Sequence, residues 1–330
     1  MHSISIVTPS FNQAAYLEAT ILSVLEQDYP ALEWIVIDGG SNDGSTEILR
    51  KYEKHFTYWV SEKDKGQSDA LNKGLKRATG DICTWLNSDD LLVPGTLHRV
   101  NYYFSENPHV SLLYGGCILF GDDLEEKVFM PASDYQEARS IAGLPFPQPS
   151  SFFRRSAYNA FGPLNENLHY GMDYEFFLQI FLNREALCTD EIFSRYRYHK
   201  NSKSVSQNAK FAEDYAYVFS KFLNSISEGE NWKKWLAERG LWRETGEDAF
   251  FVERSFKEDF LRETIFFNLY NRLIFLYEAL ETKQVRKICE SMHEISPELF
   301  EKFEELAKIR ERTKWLPAGV IGLMRKVSRK

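Results

Sequence analysis

The sequence predicts an α/β fold, a mostly parallel sheet with flanking helices, followed by a helical extension. Three observations predict it. Short apolar runs recur in the first half, and each stops at a polar loop. Stretches with apolar residues at helical spacing separate these runs. From about Gln207 the helical period continues almost to the end.

Ile4-Ser5-Ile6-Val7 reads as the first strand, closed by Thr8-Pro9-Ser10. Leu17, Ile21, Val24 and Leu25 mark a helix from about Ala14 to Gln27, which Asp28-Tyr29-Pro30 ends. Trp34-Ile35-Val36-Ile37 is the second strand and stops at Asp38-Gly39-Gly40. Asn42-Asp43-Gly44-Ser45 turns into a helix carrying Ile48, Leu49 and Tyr52. A short third strand, Tyr58-Trp59-Val60, precedes a helix from Asp69 to Ala78. The apolar run Ile82 to Leu86 then meets two adjacent carboxylates, Asp89 and Asp90, before Pro94-Gly95 opens another helix. Strands separated by helices of this length imply right-handed βαβ units.

After Pro108 the pattern changes. Leu112 to Phe120 and Lys127 to Met130 read as neighbouring strands, and 143–149 is too rich in proline for a helix. Asp173 to Asn183 is a helix with Phe176, Phe177, Ile180 and Phe181 on its buried side, and Phe193 to Tyr198 is extended up to His199. In the last part Phe211, Tyr215, Val218 and Phe222 form one stripe, and Ile265, Leu269, Leu273, Leu276 and Leu280 another. Ser296-Pro297 reads as a cap with proline at the first helical position. The expected division is a domain over 1–206, in halves 1–107 and 108–206, and a helical region over 207–330.

The chain has 330 residues, 43% hydrophobic and 27% charged, with a net charge of −8. That balance argues against nucleic acid as a partner. Cys83, Cys117, Cys188 and Cys289 have no metal or redox spacing and read as reduced thiols of a cytoplasmic protein. The first strand starts at Ser3, which leaves no room for a signal peptide, and no apolar run approaches a membrane span. The end of the chain is sharply basic. Lys308, Arg310, Arg312 and Lys314 precede Trp315 to Ile321, and Arg325, Lys326, Arg329 and Lys330 follow. Residues 308–330 therefore suit an anionic membrane surface, or else form a solvated helix or a homodimer contact through the C-terminal helices.

Four polar loops fall at strand ends on one edge of the sheet: Thr8 to Asn12, Asp38 to Ser41, Lys65 to Asp69 and Asn87 to Asp90. They supply an aromatic (Phe11), carboxylates, glycines and helix amino termini, an inventory that fits a base, a ribose and a diphosphate. The carboxylates are hard donors suited to Mg²⁺ or Mn²⁺. No dinucleotide fingerprint or phosphate-loop lysine motif is present.

These stretches carry a resemblance. Val7 to Asn12, Ile35 to Thr46, Asn72-Lys73-Gly74 with Ala78 to Asp81, and Trp85 to Asp90, followed by Gln148-Pro149-Ser150, Gly171 to Glu175 and Tyr196 to His199, make the chain similar to a family 2 glycosyltransferase of the GT-A fold. The resemblance covers about residues 3–205. It implies an inverting transfer from a nucleotide-diphospho sugar to a saccharide or lipid-linked acceptor in cell-surface polysaccharide or glycolipid assembly, assisted by Mn²⁺ or Mg²⁺.

Residue by residue, it implies that Asn87-Ser88-Asp89 takes the place of the family's DxD motif, with asparagine for the first aspartate. Asp89 would ligate the metal, with His199 and Asp90 beside it and Lys203 close behind. Thr8, Phe11 and Asp38 would line the base pocket, Pro9 and Gly39 would also contact the donor, and the family often has a second acid in place of Gly39. Lys65, Gln67, Asp69 and Asn72 would face the donor. Asp173 matches the catalytic base, with Met172 where a glutamate is usual. Gln148, Ser150, Tyr170 and Met172 would line the acceptor side.

Plainer readings stand beside these. Asp43 and Ser45 suit a helix start, and Asp89 and Asp90 a solvated turn. Asp173 could simply favour a helix dipole, and His199 could be structural. Phe146, Phe152 and Tyr170 could floor an acceptor site or pack. A non-catalytic module binding a nucleotide sugar or a protein is the alternative function. Nucleotidyl transfer would need a basic glycine-rich loop after the first strand, which Thr8 to Asn12 lacks.

Overall fold

The structure is a computed structural model that describes residues 1–121, 124–199, 202, 207–246 and 248–328, with backbone alone for 325–328. Lys203, Arg329 and Lys330 lie outside the described residues. The chain forms two compact units: Met1–Ser133 with Leu144–His199, and Asp134–Gly143 with Lys200–Lys330.

The first unit is built on one sheet. Strands β1 (Ile4–Ser10), β2 (Leu32–Asp38), β3 (Tyr58–Ser61) and β4 (Ile82–Trp85) lie parallel in the order β3-β2-β1-β4. Helices α1 (Ala14–Leu25), α2 (Ser45–Tyr52) and α3 (Gln67–Arg77) connect them. Every residue of β1 is buried, as expected of a strand covered on both faces. Ile4 and Ile6 pack with Leu17, Ile21 and Val24 of α1 and with Trp34 and Val36 of β2. Val7 faces α3 so closely that a Cβ at Gly74 would stand 2.3 Å from its Cγ1.

The remaining strands are β5 (Leu91–Leu92), β6 (Leu112–Gly121), β7 (Leu124–Phe129), β8 (Ser151–Arg154) and β9 (Ala186–Tyr198). They extend the sheet as β4-β8-β6-β9-β5, with β7 beside β6. The sheet is mixed rather than mostly parallel. Past β4, among the described residues, only β6 and β9 pair in parallel, and the pairings of β8 with β4 and β6, β7 with β6, and β5 with β9 are antiparallel. Parallelism is confined to where a helix crosses over between strands. Helices α4 (Thr96–Glu106), α6 (Arg155–Phe161) and α7 (Met172–Asn183) complete this unit.

The second unit holds α5 (Gln136–Ala142), α8 (Asn208–Asn224), α9 (Glu230–Glu238), α10 (Glu258–Glu278), α11 (Thr282–Ile295), α12 (Pro297–Lys302), α13 (Glu304–Trp315) and α14 (Ala318–Ser328). The short α5, early in the chain, belongs to this unit by its contacts. The carbonyl of Ala142 accepts from Asn268 Nδ2 at 3.0 Å, and the Arg139 guanidinium lies 4.2 Å from the Phe267 ring centre. Ile265, Leu269, Leu273 and Leu276 are buried along α10, while Leu280 lies past its end with φ of +62°. Ser296 Oγ accepts from the Leu299 N–H, the cap expected before Pro297. No helix among the described residues is long and apolar enough to cross a membrane.

Candidate active site

The first four strands end side by side, because Ser10 pairs with Asp38 and Asp38 with Ser61. Ligands of open α/β sheets bind at this carboxyl edge. Asp38 is fully buried there. Its carboxylate accepts from the N–H groups of Gly40 (3.1 Å) and Ser41 (2.9 Å) and from the hydroxyls of Ser41 (2.5 Å) and Ser61 (2.7 Å). The side chain therefore shapes the loop after β2. Thr8 is also buried, and its Oγ1 accepts from Trp34 Nε1 at 3.1 Å. Pro9 lies within β1, and Phe11 just beyond it is 59% exposed. Asp43 binds Ala14 N–H through one oxygen and the N–H and hydroxyl of Ser45 through the other, joining the starts of α1 and α2.

The start of α3 is arranged by its own first turn. Asp69 accepts from the Lys65 N–H at 3.0 Å and pairs with Lys73 at 3.2 Å. Burial pushes its carboxyl up, but these partners outweigh burial and hold it below the ordinary value. Lys65 Nζ is exposed, 3.9 Å from Glu166. Asn72 exchanges two hydrogen bonds with the backbone of Leu164, so its carboxamide is spent on holding that segment. Gln67 reaches across and donates to Asn87 Oδ1 at 2.8 Å.

Strand β4 stops at Trp85, and the chain turns at once, the Asp90 N–H donating to the Asn87 carbonyl at 3.1 Å. Ser88 and Asp90 are buried in this turn. Asp90 accepts from the Arg197 N–H at 2.9 Å and from Asn87 Nδ2 at 3.3 Å. Burial and the adjacent Asp89 charge push its carboxyl well above the ordinary carboxylate range. Asn87 thus accepts from Gln67 and donates to Asp90, which an aspartate could not do. Asp89 instead sets Oδ2 3.0 Å from Nε2 of His199. Arg197 braces this pair, its Nε donating to the Asp89 carbonyl at 2.8 Å. The Tyr16 ring carries both the His199 ring, centroids 4.5 Å apart, and the Arg197 guanidinium at 4.9 Å.

Asp89 and His199 converge on one point, and a carboxylate with an imidazole suits Mn²⁺ or Mg²⁺. Among the described residues no cluster of three or more His, Cys, Asp or Glu forms a metal cage. An ion held there would take its other ligands from phosphate oxygens and water, the usual arrangement for such ions. Asp90, with both oxygens engaged, stands behind the pair.

Helix α7 begins beside the same elements. Ser68 of α3 touches Met172 Sδ, and Trp85 stacks on Phe177 with centroids 5.4 Å apart. Asp173 lies four residues before Phe177, on the same helix face, and is half-buried in the first turn. The structure thus brings the start of α3 to Asn87 and the start of α7 to the start of α3. Gln148, buried, donates to the Trp85 carbonyl at 2.8 Å. Ser150 is wholly buried, bonded to the Gly116 carbonyl and the Ser194 hydroxyl, and Tyr170 is half-buried. Sequence reasoning missed Tyr16 and Arg197 as supports. Arg197 stood inside a matched stretch, but a lone tyrosine on a helix gives no signal.

The model of the glycosyl transferase family 2 matches residues 5–160. An uncharacterised glycosyltransferase of Mycobacterium tuberculosis is 34% identical over 183 residues, covering 54% of this chain and 68% of that one. TuaG of Bacillus subtilis, named for teichuronic acid biosynthesis, is 42% identical over 92 residues, 26% of this chain and 36% of TuaG. Several curated relatives are matched over well under half of their length. Staphylococcus aureus TarS 1–349 in complex with UDP-GlcNAc superposes with a TM-score of 0.56 at 18% identity, covering 94% of this chain and 91% of that one. The mannosyltransferase PcManGT of Pyrobaculum calidifontis, in complex with GDP-Man and Mn²⁺, superposes at 0.57 with 16% identity over 97% and 86%. At such identities the superpositions show the shared GT-A fold alone.

Proposed function

This chain belongs to glycosyl transferase family 2, and from that premise we propose that it moves a sugar from a nucleotide-diphospho sugar to a saccharide or lipid-linked acceptor, with inversion at the anomeric carbon. The observation that carries the reading is the Asp89–His199 pair at the end of β4, joined through Asn87 and Gln67 to the start of α3. The complexes of TarS with UDP-GlcNAc and of PcManGT with GDP-Man support a nucleotide-sugar donor. The name of TuaG supports a role in cell-surface polysaccharide assembly.

In this reading the acceptor hydroxyl oxygen attacks the anomeric carbon while the bond to the diphosphate breaks, its electron pair leaving with the phosphate. Asp173 takes the hydroxyl proton as attack proceeds, a contribution of roughly 10²- to 10⁴-fold. The first-turn N–H groups of α3 face developing negative charge, which a helix amino terminus favours. Asp89 and His199 would hold Mn²⁺ or Mg²⁺, which when bound neutralises charge on the leaving diphosphate. Arg197, Tyr16 and Asp90 keep those two side chains in place. We assign the basic segment 308–330 to an anionic cytoplasmic membrane face, where lipid-linked acceptors reside.

A thermal-shift screen of UDP-, GDP- and dTDP-sugars with and without Mn²⁺ tests the donor. One nucleotide class should raise the melting temperature in a metal-dependent way. No shift with any of them would remove the donor assignment.

A further inference from the structure

We infer that the carboxylate of Asp64, standing in the side-chain space that Gly39 leaves open at the end of β2, accepts a hydrogen bond from the nucleoside of the donor. The inference rests on the nucleotide-sugar reading above and names a residue that fixes its specificity.

Strands β2 and β3 run parallel to their ends at Asp38 and Ser61, so the chains leaving them stay side by side. The Glu62 N–H donates to the Asp38 carbonyl at 2.9 Å, laying 62–66 along the loop after β2. At Gly39 the neighbour is a side chain. A Cβ there would stand 2.6 Å from Asp64 Oδ2, 3.0 Å from its Cγ and 3.2 Å from its Oδ1. Gly39 is not among the residues with positive φ, so the backbone itself does not require glycine. The missing side chain gives room to a carboxylate from the next strand's loop.

Asp64 is half-buried and fixed, because Oδ1 accepts the Gly66 N–H at 2.9 Å. Oδ2 takes no hydrogen bond or ion pair from any described residue. The other acid at this strand end, Asp38, already accepts four hydrogen bonds within the loop. Asp64 is therefore the acid with an oxygen to offer. A carboxylate only accepts, so its partner is an N–H of the base or a hydroxyl of the ribose.

Calorimetric titration of UDP and GDP into the full chain tests this, using Asp64→Asn, Asp64→Ala, Gly39→Ala and the exchanged pair Gly39→Asp with Asp64→Gly. Asp64→Asn keeps the shape and the bond to Gly66 but puts a donor where Oδ2 stood. The preferred nucleotide should bind it about ten- to a hundredfold more weakly, the range for a hydrogen bond to a charged group. Gly39→Ala should weaken binding likewise, because its methyl displaces the carboxylate. The exchanged pair should recover most of the affinity. With 3-methyl-UDP, 2′-deoxy-UDP and 3′-deoxy-UDP, the analogue lacking the hydrogen that meets Oδ2 should bind wild type and Asp64→Asn alike. The melting temperature without nucleotide should not change in Asp64→Asn. Wild-type affinity in Asp64→Asn, or an equal loss with every analogue, would overturn the inference. If no nucleoside diphosphate binds the wild-type protein, the donor reading falls first.

Discussion

His199 sets its Nε2 3.0 Å from Oδ2 of Asp89, a residue 110 positions earlier in the chain. Pairing of Leu91 with Arg195 and of Leu92 with Ser194 makes the meeting possible, bringing the end of β9 back to the turn after β4. Supports around the pair come from the same two segments and from α1. Arg197 bonds to both aspartates, Thr20 holds the Asp90 carbonyl at 2.8 Å, and Tyr16 floors the histidine. The side chains are thus set before any ligand arrives, which is what makes such a site effective.

Asp89→Asn and His199→Ala should each abolish the metal-dependent part of the thermal shift caused by the nucleotide sugar. The loss of affinity should be at least the roughly 10- to 100-fold that removal of a supporting residue costs at metal sites. Arg197→Ala removes one side-chain bond to the Asp89 carbonyl but keeps the backbone bond to Asp90, so its effect should be smaller. Calorimetry with and without Mn²⁺ checks all three. A metal-dependent shift that survives in Asp89→Asn would remove Asp89 from the site.

Asp173→Asn should lower turnover by about 10²- to 10⁴-fold while leaving donor affinity near its wild-type value. The separation matters because Asp173 also lies in the first turn of α7, where a charge favours the helix. A purely structural aspartate would lower the melting temperature and leave kcat per folded molecule unchanged. Measured kcat beside melting temperature decides between the two.

The parallel half of the sheet was legible because its strands are apolar on both faces and stop abruptly at polar loops, as β1 and β4 do. The turn 87–90 was legible for the same reason. The pairing of β6 with β9, Leu112 opposite Ala186, was not, since no local period encodes a partner so far along the chain. His199 came into view only by resemblance. Asp64 was missed because a half-buried acid in a polar loop looks like any surface acid. The sign of it was Gly39, a glycine whose backbone does not need to be one. The asparagine at 87, a departure from the family pattern, has a local reason in its bonds to Gln67 and Asp90.

Gly74→Ala should destabilise the fold by about 1–2 kcal/mol. The added methyl meets Val7 Cγ1 at 2.3 Å in a fully buried place, and overpacking of this kind costs roughly 1–3 kcal/mol. Better helix propensity returns up to about 1 kcal/mol. Since α3 carries Gln67 and Asp69, donor affinity should fall together with the denaturant midpoint. An unchanged midpoint would mean that α3 can shift freely on β1.

The last two helices expose Trp315 (70%) and Leu323 (65%), and from Lys308 onward the chain carries eight basic residues against one acidic, Glu311. Each basic residue near an anionic bilayer adds about 1 kcal/mol of attraction. In vesicle flotation the protein should rise with anionic vesicles and stay down with zwitterionic ones. Removing 315–330, or raising the salt, should release it. Flotation unaffected by either change would assign the segment to another role.

Glu33 joins β1, β2 and the turn before β4. Its carboxylate accepts from the Ser5 hydroxyl and from the N–H (2.7 Å) and hydroxyl (2.9 Å) of Thr79. Burial pushes this carboxyl up, yet the hydrogen bonds from Ser5, Thr79 and Gly80 outweigh it and bring it below the ordinary value. A carboxyl lowered by folding binds its proton less well folded than unfolded. Its stabilisation is therefore complete above the unfolded value of about 4.3 and disappears as pH falls through the folded one. Glu33→Gln should cost about 1 kcal/mol near neutral pH, because the carboxylate is only half-buried and water screens part of the roughly 1.5–3 kcal/mol typical of hydrogen bonds to a charged group. The gap between variant and wild type should narrow as pH falls below the unfolded value and through the lowered folded one, where the wild-type carboxyl also becomes neutral. Urea unfolding at a series of pH values measures that gap, and one that widened in acid would reverse the sign assigned to Glu33.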